Sequence, residues 1–141
     1  MAGLVLIPET VVRPGAVWTV AVNLNQDLLG KTMLVLGRPA TAVTDLSSGE
    51  WAQLHVELKD LVPALGRLFS PDQVNLAFLM NQDAQVHLHV IPRYRFPRAW
   101  AGLVFTDAHW GSAFGPEQRP LPRELRAQLA AEIRAELGGS G

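Results

Sequence analysis

Two histidines, His87 and His89, stand two residues apart in the stretch DAQVHLHVIPRY, residues 83–94. Around them lie Val86, Leu88, Val90 and Ile91, types that favour extended backbone. Alternation along a strand puts Gln85, His87, His89 and Ile91 on one face and Val86, Leu88 and Val90 on the other. Residues two apart on a strand are separated by roughly 6.5–7 Å, so two imidazoles on one face can reach the same small ligand.

Three kinds of chemistry fit such a pair. The plainest is none, with the histidines as polar residues on the solvent face of an amphipathic strand. The second is metal binding, since neutral imidazoles at i and i+2 can ligate zinc, iron or nickel. A nearby carboxylate would help, but the next acid after His89 is Asp107, and only the fold could bring in His55 or His109. The third is nucleophilic catalysis at phosphorus. An imidazole that titrates near ~6.5 is largely neutral at physiological pH, so its free nitrogen can attack without an activating base. A neighbouring imidazole can then hydrogen-bond the leaving atom and supply a proton.

Positioning such a pair needs a sheet and something to back it. VWTVAVNL, residues 17–24, reads as a strand, the polar NQDLLGK turn follows, and Thr32 to Leu36 reads as its partner. Ser47 to Phe69 reads as a helix. Ser47 and Glu50 have capping-box spacing, and Trp51, Leu54, Leu58, Leu61, Val62, Leu65 and Phe69 form one apolar stripe. Pro63 inside it should kink or split the helix. Val74 to Met80 and Val86 to Ile91 read as an antiparallel hairpin across a short NQDA link. Residues 93–122 read as an extended, arginine- and proline-rich segment that wraps the domain, and Pro122 to Leu137 as a second helix stopped by Gly138. The order of elements predicts an α+β fold rather than βαβ alternation, and there is no glycine-rich phosphate loop.

Composition narrows the function classes. A chain of 141 residues is about one domain, long enough to bury a real core. With 48% hydrophobic and 18% charged residues it reads as an ordinary soluble protein. Twelve basic against thirteen acidic residues give no electrostatic case for nucleic acid or an anionic membrane. The absence of cysteine excludes disulfides, thiolate zinc sites and thiol nucleophiles. The apolar run Leu4 to Ile7 is too short for a signal sequence, so the cytoplasm is the expected compartment.

QVHLHVIPRY resembles the signature of the histidine triad (HIT) superfamily of nucleotide hydrolases and transferases, His-φ-His-φ-His-φ-φ with φ apolar. Upstream, VNLNQDLLGKTMLVLGRP, residues 22–39, resembles that family's strand, turn, glycine and strand block, and the helix follows in the expected place. The resemblance covers roughly residues 17–94, about half the chain. It implies a HIT-like antiparallel sheet with a long helix and a C-terminal helix. One domain would span residues 1–141, with a wrapping segment and helix over 95–137. It further implies a homodimer that joins two sheets, with the long helix at the interface.

Carried over residue by residue, the resemblance makes His87 the nucleophile that forms a covalent nucleotidyl-enzyme. His89 becomes the group that contacts the scissile phosphate and the leaving group. Asn23 falls near a position that contacts ribose or base, and Asn81 resembles an asparagine that touches phosphate. Turn chemistry or capping would explain either asparagine as well. The implied substrate is a nucleotide conjugate, of dinucleoside polyphosphate or nucleoside phosphoramidate type, attacked at its α-phosphate. No metal is required, although magnesium could accompany a polyphosphate.

The departure is Gln85, which stands where the first histidine belongs and is expected on the substrate-binding face. Glutamine hydrogen-bonds but does not titrate. It therefore leaves open a non-catalytic nucleotide-binding module on a degenerate site. Lys31 is a second departure, since some members carry a histidine after that glycine. It reads as a solvated lysine, or one that meets distal phosphates. Arg93, Arg95 and Arg98 read as a solvated tail with salt bridges, Trp100 and Trp110 as core anchors, and His109 as a loop residue.

Overall fold

The structure is a computed structural model and describes residues 6–139. The start of the Leu4–Ile7 run and the last two residues lie outside the described residues. The strands are β1 (Val11–Arg13), β2 (Trp18–Val22), β3 (Thr32–Leu36), β4 (Gln73–Ala77), β5 (His87–Arg93), β6 (Arg98–Trp100) and β7 (Leu103–Phe105). The helices are α1 (Ser48–Phe69) and α2 (Arg123–Gly139). Five strands form one antiparallel sheet in the order β1-β2-β3-β5-β4, and β6 and β7 form a separate hairpin. The fold is α+β, as the order of elements predicts.

Strand β5 lies inside the sheet because both of its edges are paired. Val35 faces His87 and Met33 faces His89 across β3, while Ala77 faces His89 across β4. Leu88 and Val90 point to the other face. There they join Val20, Leu34, the α1 residues Leu54, Leu61, Leu65 and Phe69, and the α2 residues Leu129, Ile133 and Leu137 in one core. Burying the apolar alternate positions of β5 under the helices leaves its histidines on the open face.

Helix α1 starts as its sequence dictates. The Ser47 hydroxyl accepts from the Glu50 N–H at 3.1 Å, and the Glu50 carboxylate accepts from the Ser47 N–H at 2.8 Å. Pro63 does not split the helix, which runs unbroken to Phe69. It sits on the exposed side, where water can satisfy the carbonyl that loses its donor.

Three further expectations shift. The β4–β5 pair is antiparallel, but Ala77 and His87 are joined by residues 78–86 and not by a four-residue link. Met80 takes a left-handed φ of 52°, and the Val86 N–H bonds to the Ala40 carbonyl instead of a β4 partner. The wrapping segment contains the β6–β7 hairpin, turned at Ala101 and Gly102, both at positive φ. Helix α2 runs past Gly138 to Gly139.

Candidate active site

The open face of β3 and β5 is the floor of a cleft of about 530 Å³. Its lining includes Asn23, Lys31, Met33, Asn81, His87 and His89. Residues Leu79 to Asp83, from the 78–86 connection, form one wall. Phe114, Gly115 and Gln118, from the segment before α2, form another.

The histidines are close, with ring centroids 4.8 Å apart and planes at 66°. Each uses its Nδ1 on a different kind of partner, and that fixes what the other nitrogen can do. His87 Nδ1 lies 2.7 Å from the Gln85 carbonyl oxygen. A carbonyl only accepts, so this nitrogen carries the proton and the neutral ring keeps a lone pair on Nε2. His89 Nδ1 lies 3.1 Å from the Asn23 side-chain amide nitrogen. The Asn25 N–H donates to Asn23 Oδ1 at 3.0 Å, which fixes the amide orientation and makes its NH₂ the donor. His89 therefore accepts at Nδ1 and presents Nε2–H. The two imidazoles take complementary tautomers, one with a free lone pair and one with a free N–H.

Burial, then the neighbouring His87 and Lys31, pushes the His89 pKa down to about 4. At neutral pH His89 is an uncharged hydrogen-bond donor.

Gln85 does not line the cleft, contrary to strict alternation along the strand. It precedes the first residue of β5, and its side chain turns into the protein, where the residue is 4% exposed. Its Nε2 donates to the carbonyls of Leu36 (3.0 Å) and Arg38 (2.8 Å), and its Oε1 accepts from the Ala40 N–H (3.3 Å). What residue 85 gives His87 is a main-chain carbonyl, which any residue type would supply.

Asn23 does line the cleft, but its amide is engaged on His89. Asn81 is exposed on the cleft wall. Lys31 is not solvated: it is 8% exposed and its Nζ lies 2.8 Å from Asp27 Oδ1. The signal for this pair was the i, i+4 Asp–Lys spacing in the NQDLLGK turn. Gly30 shapes that turn at a φ of 87°, and a Cβ there would come within 3.0 Å of the Phe69 ring. Gln26, buried under the turn, holds the Gly30 N–H and the Asn23 and Lys31 carbonyls.

Sequence patterning could not reach the segment before α2. Asn25 accepts from the Arg119 N–H (2.8 Å) and donates to the Glu117 carbonyl (2.9 Å), tying this segment to the β2–β3 turn. Phe114 and Gln118 reach the cleft through that tie. His55 is exposed on α1, and His109 bonds Glu117 at 2.6 Å, so neither joins the histidine pair.

No protein-family model matches the sequence, and no curated protein matches it. Solved structures do match. A histidine triad protein from Bradyrhizobium japonicum is similar at 23% identity over 90% of this chain and 89% of that one, with a TM-score of 0.68. One from Sinorhizobium meliloti gives 24% identity, coverages of 89% and 87%, and a TM-score of 0.69. The diadenosine triphosphate hydrolase of Plasmodium falciparum, solved with cyclomarin A, gives 17% identity, coverages of 95% and 80%, and a TM-score of 0.70. The fold of the chain is the histidine triad fold.

Proposed function

We propose that this chain is a histidine triad hydrolase or transferase that moves a nucleoside monophosphate from a nucleotide conjugate by way of a phosphohistidine. The complementary tautomers of His87 and His89 carry this reading. His87 Nε2 has the lone pair that attacks the α-phosphorus, while its Nδ1–H stays on the Gln85 carbonyl and balances the positive charge the ring acquires. His89, which lines the same cleft, hydrogen-bonds the departing oxygen or nitrogen through Nε2–H and keeps that proton, while a departing amine takes its proton from solvent. The P–N bond forms as the bond to the leaving group breaks. Water then attacks the phosphohistidine: its oxygen bonds to phosphorus as the P–N bond breaks, its proton passes to solvent, and the electron pair returns to His87 Nε2.

The fold shared with a diadenosine triphosphate hydrolase is consistent with this chemistry. The reaction needs no metal, and magnesium would act only by accompanying a polyphosphate. The position of Gln85 favours catalysis over a degenerate binding module, because the contact it makes to His87 comes from the main chain.

The chain would act as a homodimer. Strand β4 is one edge of the sheet, Leu76 on it is half exposed, and Trp51 and Val56 of α1 are exposed too. Sedimentation showing only monomer at micromolar concentration would refute that part. No helix of the described residues is long and apolar enough to cross a membrane.

Intact mass after mixing with an adenosine phosphoramidate or a diadenosine polyphosphate tests the reaction. A nucleotidyl adduct should form on the wild type and vanish in His87→Ala, with turnover down at least about 10⁴-fold. Binding without adduct or turnover would sink the enzyme in favour of a binding module.

A further inference from the structure

The β3–β5 register places a third functional group in line with the two histidines. Val35 pairs with His87 and Met33 with His89, and Lys31 lies two residues beyond Met33 on the same face. Passing along the cleft floor from His87, one meets His89 and then Lys31, each step roughly 7 Å. Lys31 lies on the far side of His89 from the nucleophile.

The lysine is built in. Its carbonyl accepts from the Asn23 N–H (3.0 Å) and the Gln26 side chain (2.7 Å), and its N–H donates to Leu28. Its ammonium is paired with Asp27, with side chains only 10% and 7% exposed. Burying such a pair costs several kcal/mol of desolvation per ion, roughly, and an apolar pair of like volume would often be as stable. Asp27 occupies one of the three ammonium donors, and among the described residues no other acceptor takes the remaining two. Lys31 is also the single cationic side chain among the described residues lining the cleft.

Resting on the roles given above to His87 and His89, we infer that Lys31 is a substrate-contacting residue on the leaving-group side, and that the site is built for a polyphosphate leaving group. In-line attack from His87 sends the leaving oxygen toward His89, and the next phosphate then lies beside the Lys31 ammonium. There the ammonium meets charge that grows as the polyphosphate departs, where a fixed cation lowers the barrier most. A neutral amine leaving group gains nothing from it. Asp27 holds Lys31 in place and leaves its other donors for the phosphate.

The experiment compares diadenosine triphosphate with an adenosine phosphoramidate in the wild type, Lys31→Met and Lys31→Arg. The double variant Asp27→Asn/Lys31→Met keeps the site uncharged should Lys31→Met strand Asp27 and misfold. In the neutral variants kcat/KM for the polyphosphate should fall about 100-fold, while the phosphoramidate changes less than about threefold. Lys31→Arg should recover part of the polyphosphate activity. An equal fall on both substrates, no fall on either, or wild-type turnover confined to phosphoramidates would each overturn the inference. Wild-type protein that forms no adduct with either substrate would overturn the underlying reading of His87 and His89 as well.

Discussion

Strand β5 carries a buried polar cluster at each end, and the two are built to opposite plans. At its C-terminal end Arg93, 2% exposed, donates to both oxygens of Asp107, to Asn75 Oδ1 (2.8 Å) and to the carbonyls of Ser112 (2.9 Å) and His109 (2.6 Å). Burial alone would raise the Asp107 carboxyl, but Arg93 and the N–H groups of Tyr94 and His109 outweigh it and hold the pKa below the ordinary range. This cluster ties the segment before α2 to the sheet. At the N-terminal end, His87 and His89 each spend Nδ1 on the protein and leave Nε2 without a protein partner, and farther along the cleft floor the Lys31 ammonium keeps donors beyond the one on Asp27. Buried polar groups that are saturated hold structure, whereas those pre-oriented but unfinished are available to a ligand.

The contrast makes the two ends respond differently to mutation. Arg93→Met strands the Asp107 carboxylate in a site where its side chain is 2% exposed, and should cost about 3–5 kcal/mol in urea unfolding. The fraction that remains folded should still form the nucleotidyl adduct. Loss of the adduct in folded protein would show that the two ends are not separable.

Gln85→His is the next largest. A ring with one N–H cannot donate to both the Leu36 and Arg38 carbonyls while accepting from Ala40, so roughly 1–3 kcal/mol of stability should go. Turnover should not rise, since the carbonyl that orients His87 is unchanged. A rate gain from restoring the first histidine of the triad would refute the assignment of Gln85 as a structural residue.

Asn23→Ala should act on rate with little change in stability. Freed from the amide, the His89 ring can flip or change tautomer, and kcat should drop roughly tenfold, the size of one lost orienting hydrogen bond. A change in KM alone would return Asn23 to the substrate.

The last contrast is in pH. His89 titrates at about 4 in the folded chain and near ~6.5 when free, so the unfolded chain binds more protons between those values. Its contribution to stability is complete above about pH 6.5 and is lost as the pH falls toward 4. The urea midpoint should decline over that window, and less steeply in His89→Asn. Identical slopes would mean that His89 is not held neutral.

Much of this was legible from residue types. Alternation placed His87 and His89 on one face, the capping box placed α1, and the NQDLLGK turn separated β2 from β3. Lys31 and Arg93 were misread as solvated because a charged residue's burial depends on partners contributed by the tertiary fold. Arg93 is buried by Asp107, Ser112 and His109, which reach it only when the chain wraps. Gln85 was misread because alternation governs strand residues, and the strand begins two positions later. Phe114 and Gln118 lie in a segment without periodicity, so nothing local pointed them at the cleft.

The opposed tautomers of His87 and His89 can be read directly by two-bond ¹H–¹⁵N correlation of the imidazole rings at neutral pH. The account predicts a protonated Nδ1 and bare Nε2 for His87, and a bare Nδ1 and protonated Nε2 for His89. The same tautomer in both rings, or a proton on His87 Nε2, would contradict it.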